Sequence, residues 1–126
     1  MSKTVKVEEM VIDGTTYVPK GTEQVKAESR DGMTYVLIRT YSAGVHTGYL
    51  KSRDGKEVEL LDSIRLWRWS GAASLSQLAM EGTNNSEGCK FAIPITTSLI
   101  LTESIEVIEM TETAKQSIQK LATWRA

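Results

Sequence analysis

The feature that most narrows the fold is a succession of β-rich runs between Met33 and Trp69, separated by tight-turn signals. TYVLIRTY (Thr34–Tyr41) is dense in β-branched and aromatic residues and has little helix propensity. SAG (Ser42–Gly44) turns the chain into VHTGYLKS (Val45–Ser52). Asp54-Gly55 turns it again into EVELL (Glu57–Leu61), and SIRLWRW (Ser63–Trp69) follows. Four short antiparallel strands in this order form a meander, and their spacing suits a small, strongly bent sheet or a partial barrel. Gly48, inside the second strand, predicts a bend or the close approach of another backbone. In the first run, alternation places Tyr35, Leu37, Arg39 and Tyr41 on one face and Val36, Ile38 and Thr40 on the other.

After Trp69 the hydrophobic period changes. Ala72, Leu75, Leu78 and Ala79 have helical spacing, with Ser70 as the expected N-cap and Gly82 as the stop. TNNSEGCK (Thr83–Lys90) is a loop. FAIPI and SLILTESIEVIEM read as two more strands, with Pro94 putting the first at an edge or bend. TETAKQSIQKLATW (Thr111–Trp124) predicts a closing helix capped by Thr111, with Ala114, Ile118, Leu121 and Ala122 as its apolar stripe. The fold class is therefore α+β: a small antiparallel, strongly bent β-sheet or partial barrel with one short internal helix and a C-terminal helix.

The N-terminal portion reads as an addition to this body. Residues 1–10 alternate polar and apolar, as an edge strand or loose arm would. Asp13-Gly14 lies between two β-rich runs and signals a hairpin, and Pro19 ends the second run. The expected organisation is one domain over 1–126, with a hairpin arm at about 5–20, a polar linker at about 21–32 and the main body at 33–126.

Composition removes several functional classes. A formal net charge of −1 argues against a general nucleic-acid coat, which needs a basic surplus. Cys89 is the only cysteine, so no internal disulfide forms and a reducing compartment is compatible. MSKTVKVEEM lacks the apolar core of a secretory signal, and no apolar run approaches a membrane span. The expected setting is soluble and cytoplasmic. One His and one Cys make no metal set, and His46 alone fits a hydrogen-bonded structural residue better than a general base. No catalytic residues, metal ligands or cofactors are expected.

The binding candidates lie in two similar segments. Each has an arginine-bearing strand running into a small-residue turn: Arg39 before Ser42–Gly44, and Arg65 and Arg68 before Ser70–Ser74. Arginine beside exposed backbone N–H groups suits a phosphate or carboxylate. On the SIRLWRW strand, Arg65, Trp67 and Trp69 share a face, offering charge beside flat π surfaces for a stacked base; the competing reading is that the tryptophans are core. Arg68 is expected among aliphatic side chains, needing either Asp62 or a bound anion as partner. Asn84, Asn85 and Ser86 fit loop residues, and Phe91 fits a buried strand residue. The site set is Arg39, Ser42, Gly44, Arg65, Trp67, Arg68, Ser70 and Gly71, forming one pocket, two pockets or half-sites completed by another subunit.

RTYSAGVHTGYLKSRDGKEVEL, RLWRWSGAASLSQLAMEG and LTESIEVIEMTETAKQSI together resemble a family of small tailed-phage proteins known only as a domain of unknown function. The resemblance runs from about Met33 to the end of the chain. That family is in turn similar to the phage sponge proteins that counter the Thoeris defence. Those bind cyclic ADP-ribose isomers made by TIR-domain enzymes, form hexamers, and also bind cyclic oligonucleotides at a separate site. The resemblance implies a non-enzymatic sink for a nucleotide immune signal, acting in the host cytoplasm. Its implied partners are an anionic nucleotide and further copies of the chain, up to a hexamer, with no membrane and no duplex DNA. No individual sponge residue is carried onto this sequence. The alternative is a small barrel-like RNA-binding or assembly module. A third reading, a small nuclease or phosphodiesterase, would need His46 to converge with Asp54, Glu57 and Asp62.

Overall fold

The computed structural model describes residues 10–12, 15–17 and 25–126. The first two stretches are β1 (Met10–Ile12) and β2 (Thr15–Tyr17), paired antiparallel with Met10 opposite Tyr17 and Ile12 opposite Thr15. The Asp13-Gly14 turn, the alternating N-terminus, Pro19 and the first part of the expected linker lie outside the described residues.

The main body is one antiparallel sheet with two helices, as expected of an α+β chain. Its strands are β3 (Thr34–Thr40), β4 (Val45–Asp54), β5 (Glu57–Arg68), β6 (Lys90–Phe91), β7 (Ile95–Leu101) and β8 (Ser104–Glu109). The order is β6-β5-β4-β3-β8, and β7 pairs the same strand as β6, further along β5. β6 and β7 thus act as one strand interrupted around Pro94, which cannot donate to the ladder.

The two expected strands EVELL and SIRLWRW form the single strand β5. The reason lies in its irregularities. Between Leu61 and Ile64 the strand gains a residue relative to β4, and Asp62 there has a φ of 50°. A bulge absorbs the irregularity without ending the pairing. A second register shift, between Leu50 and Ser52, puts the extra residue on β4. Gly48 sits at the first of these, in the Thr47–Tyr49 interval that faces the bulge. A Cβ there would lie 3.1 Å from the Leu61 carbonyl oxygen and 3.1 Å from Ser63 Cα. The expected close backbone approach is therefore present.

Chain connectivity requires the sheet to be strongly bent. β7 and β8 lie on opposite edges, with β5, β4 and β3 between them, yet only Thr102 and Glu103 join them. Four flat inter-strand intervals would separate these edges by about 19 Å. Three Cα–Cα steps from Leu101 to Ser104 span at most about 11 Å. The sheet must coil to bring the edges together, and it remains open. Consistent with that bend, the Ser104 amide and hydroxyl both donate to the Lys56 carbonyl at the β4–β5 tip, at 3.0 and 2.8 Å.

Bending buries both faces of β3. Tyr35 and Leu37 join a cluster with Tyr49, Ile64, Leu66, Phe91 and the helices α1 (Leu75–Glu81) and α2 (Glu112–Leu121). Val36 and Ile38 join a second cluster with Val58, Leu60 and Leu101. Each fully buried large aliphatic side chain contributes roughly 1.5–3 kcal/mol. In α2, Thr111 Oγ1 accepts from the Ala114 amide at 3.1 Å, and Ala114, Ile118 and Ala122 are buried along the expected stripe. In α1 the cap is Ser74, whose Oγ accepts from the Gln77 amide at 3.1 Å; it is not Ser70. The chain after Ser70 is not yet helical, and Gly71 has a φ of 83°, which a helix turn excludes. Gly82, with a φ of 70°, ends the helix as expected.

The described end of the expected linker is tied to the body. The Ala27 amide donates to Met110 O at 2.9 Å, and the Glu112 amide donates to Val25 O at 2.8 Å. Ala27 is buried, and Arg30 lies over the Tyr49 ring at 4.2 Å while pairing with Asp62.

Candidate ligand-binding face

Strand alternation on β5 turns Ile64 and Leu66 inward and Arg65 and Trp67 outward. A register shift between Leu66 and Arg68 then breaks the alternation. Arg68, expected among aliphatic side chains, is exposed, while Trp69 packs half-buried against the larger core cluster. Arg65, Trp67 and Arg68 therefore all face solvent. Asp62, the expected partner of Arg68, is taken by Arg30.

A residue that sequence reasoning missed completes this face. After α2 the chain runs beside β6, where the Trp124 amide donates to Phe91 O at 2.9 Å and Trp124 bridges Ala92. This places the Trp124 ring parallel to Trp67, with centroids 6.4 Å apart and planes 11° apart. Lys90, opposite Arg68 in the ladder, holds its Nζ 5.5 Å from the Trp124 centroid. The only sequence signal was a tryptophan outside the apolar stripe of the last helix. Trp67 is 65% exposed and Trp124 42%, unusual for a paired indole. Among the described residues, no carboxylate forms an ion pair with Arg65, Arg68 or Lys90. Chemically the face offers flat π surfaces beside uncompensated cations, a combination suited to an aromatic, anionic ligand.

The Ser42–Gly44 turn differs in its electrostatics. Arg39 Nε pairs with Glu106 Oε1 at 2.8 Å, and Ser42 Oγ donates to Glu103 Oε1 at 2.6 Å. An incoming anion would have to displace these carboxylates. Gly44 has a φ of 85°, and its carbonyl accepts from both the amide and the hydroxyl of Thr40. Arg65 connects the turn to the Trp67 face by donating to Ala43 O at 3.2 Å.

The Ser70–Gly71 segment is a packed loop junction. Thr83 Oγ1 donates to Ser70 O at 2.6 Å, and a Cβ on Gly71 would collide with that hydroxyl. Ser70 Oγ is buried against Gly88 without a hydrogen-bond partner. Structure thus gathers Arg65, Trp67 and Arg68, and leaves Arg39, Ser42 and Gly44 in one internally bonded turn and Ser70 and Gly71 in another.

His46 is fully buried, and its Nε2 lies 2.8 Å from Ala43 O. A carbonyl only accepts, so Nε2 carries the proton and Nδ1, which has no partner, is bare. Burial pushes the imidazole below its ordinary value and Arg65 adds to this, with the Ala43 bond opposing. Cys89 is half-buried, with Sγ 3.6 Å from Ser70 O. Asn85 Oδ1 accepts from the Gly88 amide, a local loop role, and Phe91 is core. Among the described residues, no three His, Cys, Asp or Glu side chains gather as a metal site would need, and no helix is long and apolar enough to cross a membrane.

These features define a class of small α+β proteins: one coiled antiparallel sheet, two helices on it, and an exposed indole pair beside cations that no described carboxylate pairs. The family model described as Domain of unknown function (DUF6948) matches residues 33–118, and the chain belongs to that family. The match includes Arg65, Trp67, Arg68 and Lys90 and stops short of Trp124. No curated protein and no solved structure matches the chain.

Proposed function

We propose that this chain binds and sequesters an anionic nucleotide without altering it. The ligand's base stacks on Trp67 and Trp124, and its phosphates are held by Arg65, Arg68 and Lys90. The observation that carries this reading is the exposed indole pair beside cations that no described carboxylate neutralises. Burial is the usual fate of tryptophan, and an exposed stacked pair invites a third ring. The resemblance to the Thoeris anti-defence sponges makes cyclic ADP-ribose isomers the first ligands to try and cyclic oligonucleotides the second. On this reading the protein is a non-enzymatic phage product acting in the host cytoplasm.

Titration calorimetry with each ligand, followed by chromatography of the ligand released on heating, tests the proposal. Tight binding with intact release supports it. Altered product makes the protein an enzyme, and no binding to any nucleotide sinks the reading. Trp67→Ala is expected to weaken binding by about 5- to 150-fold, equivalent to one base–indole stack of roughly 1–3 kcal/mol.

The openness of the indole face favours one second reading, a single-stranded RNA contact. Polarisation with labelled RNA across salt separates the two: a steep salt slope identifies the polymer, and a cyclic nucleotide of few charges gives a shallow one.

A further inference from the structure

The ladder between β5 and β6 is irregular where two cations meet. Leu66 pairs Phe91 and Arg68 pairs Lys90, so Trp67 and Arg68 together oppose Lys90. Strict alternation would turn Arg68 to the side of Leu66, which is buried in the larger core cluster. The bulge re-aims it, and Trp67 and Arg68 are both exposed. Lys90 leans toward the same indoles, with its Nζ 5.5 Å from the Trp124 centroid. Residues directly opposite in an antiparallel pair hold their Cβ atoms about 4.5–5.5 Å apart, and like charges there are destabilising. Among the described residues, no carboxylate forms an ion pair with either cation. A lysine on an edge strand guards that edge by itself. It needs neither an arginine opposite it nor a bulge that brings the arginine to the surface.

We propose that Arg68 and Lys90 form a clamp for one doubly charged phosphoryl group, a phosphate monoester or a pyrophosphate, whose binding relieves their mutual repulsion. The planar guanidinium offers a fork of donors and the ammonium a mobile point charge, so one oxyanion accepts from both. Two cations across one rung of the ladder match a dianion better than chloride or a carboxylate. Arg65 is not part of this clamp. It lies three residues earlier on β5, and its Nη1 donates to Ala43 O at 3.2 Å, which leaves it for another part of the ligand. Trp67 and Trp124 border the clamp, so a ring attached to the phosphoryl group has a stacking surface beside it. The inference rests on the nucleotide reading only for what the phosphoryl group is attached to.

Titration of the full chain with inorganic pyrophosphate, against sodium chloride at matched ionic strength, tests it by nuclear magnetic resonance and thermal melting. The Arg68 Nε and Trp124 indole signals are expected to shift saturably while the half-buried Trp69 indole stays in place, and Tm should rise with pyrophosphate. Arg68→Gln and Lys90→Gln should each weaken pyrophosphate binding by about tenfold. Without ligand and at low salt, each variant should melt about 1–3 °C above the wild type, because one of the opposed charges is gone. The same melts check that both variants are folded. Pyrophosphate that acts no more strongly than chloride overturns the clamp. So do variants that bind as the wild type does, and variants that melt lower without ligand, which would show the cations already held by a partner. Nucleotides form the second arm. Pyrophosphate binding with no tighter binding of any nucleotide supports the clamp and removes the nucleotide reading. Nucleotide binding that neither variant weakens supports that reading and overturns the clamp.

Discussion

Replacing Gly48 by alanine tests the argument that the bend in the β4–β5 ribbon depends on close backbone approach. A Cβ there would lie 3.1 Å from Leu61 O, 3.1 Å from Ser63 Cα and 3.3 Å from Leu60 Cβ. Ordinary contacts between such atoms fall near 3.5–4.0 Å. Two of the three neighbours are main-chain atoms of β5, held on one edge by β4 and on the other by β7, so no rotamer change relieves the clash. Overpacking of this type costs about 1–3 kcal/mol. The lost flexibility of the unfolded chain offsets roughly 0.4–1 kcal/mol. The net expectation is a destabilisation centred on about 1.3 kcal/mol, or roughly 4–7 °C in Tm for a chain of this size. Urea unfolding of wild type and variant at one pH measures it. Gly55→Ala is the control, because a Cβ there meets nothing within 4 Å and only its φ of 60° is strained. A Gly48→Ala protein as stable as wild type would refute the close-approach account of the bend.

Three further outcomes follow from polar groups in the core. His46 is held below its ordinary 6.5, so the unfolded chain binds this proton first; stability is full above about pH 6.5, falls as pH drops toward the lowered folded value, and then levels off, and His46→Gln should flatten that part of a urea-midpoint profile. Burial pushes the Tyr35 phenol up to about 12, opposed by its hydrogen bond with Thr47, so an ultraviolet titration should show one late tyrosine that Tyr35→Phe removes, while stability declines between about pH 10 and 12 as the unfolded chain ionises first. Thr111→Ala removes both the α2 cap and the hydroxyl that donates to Met80 O at 2.6 Å, and should cost about 1–3 kcal/mol by denaturant unfolding, against about 1 kcal/mol for the exposed cap in Ser74→Ala.

What could be read in the sequence follows from which signals are local. The turns at Ser42–Gly44 and Asp54-Gly55, the Gly82 stop, the Thr111 cap and the α2 stripe all depend on neighbouring residues, and all reappear in the fold. Bulges do not announce themselves by composition. The extra residue near Asp62 made one strand read as two, and the shift after Leu66 reversed the expected faces of Arg68 and Trp69. The helix start was misplaced because Ser70 and Ser74 are equally good caps on paper; the positive φ at Gly71 decides between them. In the candidate site, Arg65, Trp67 and Arg68 were visible because they sit on one strand. Trp124 was hidden, since its position depends on a return of the chain along β6, distant in sequence from β5. The carboxylates that engage Arg39 and Ser42 were hidden for the same reason, arriving from Glu106 on the far edge strand and from Glu103 in the link that leads into it.

The link Thr102–Glu103 also bears on how the chain folds. Whichever of β7 and β8 docks first holds the other on a tether of three peptide steps, so the second pairing proceeds at high effective concentration. That advantage exists only once the β4–β5 ribbon has bent, because a flat ribbon puts the second edge beyond the tether's reach. Closing both edges is then one cooperative event gated by the bend. Substitutions around Gly48 should slow folding itself, whereas substitutions at the exposed Thr96 and Thr97 of β7 should leave the folding limb of the chevron unchanged.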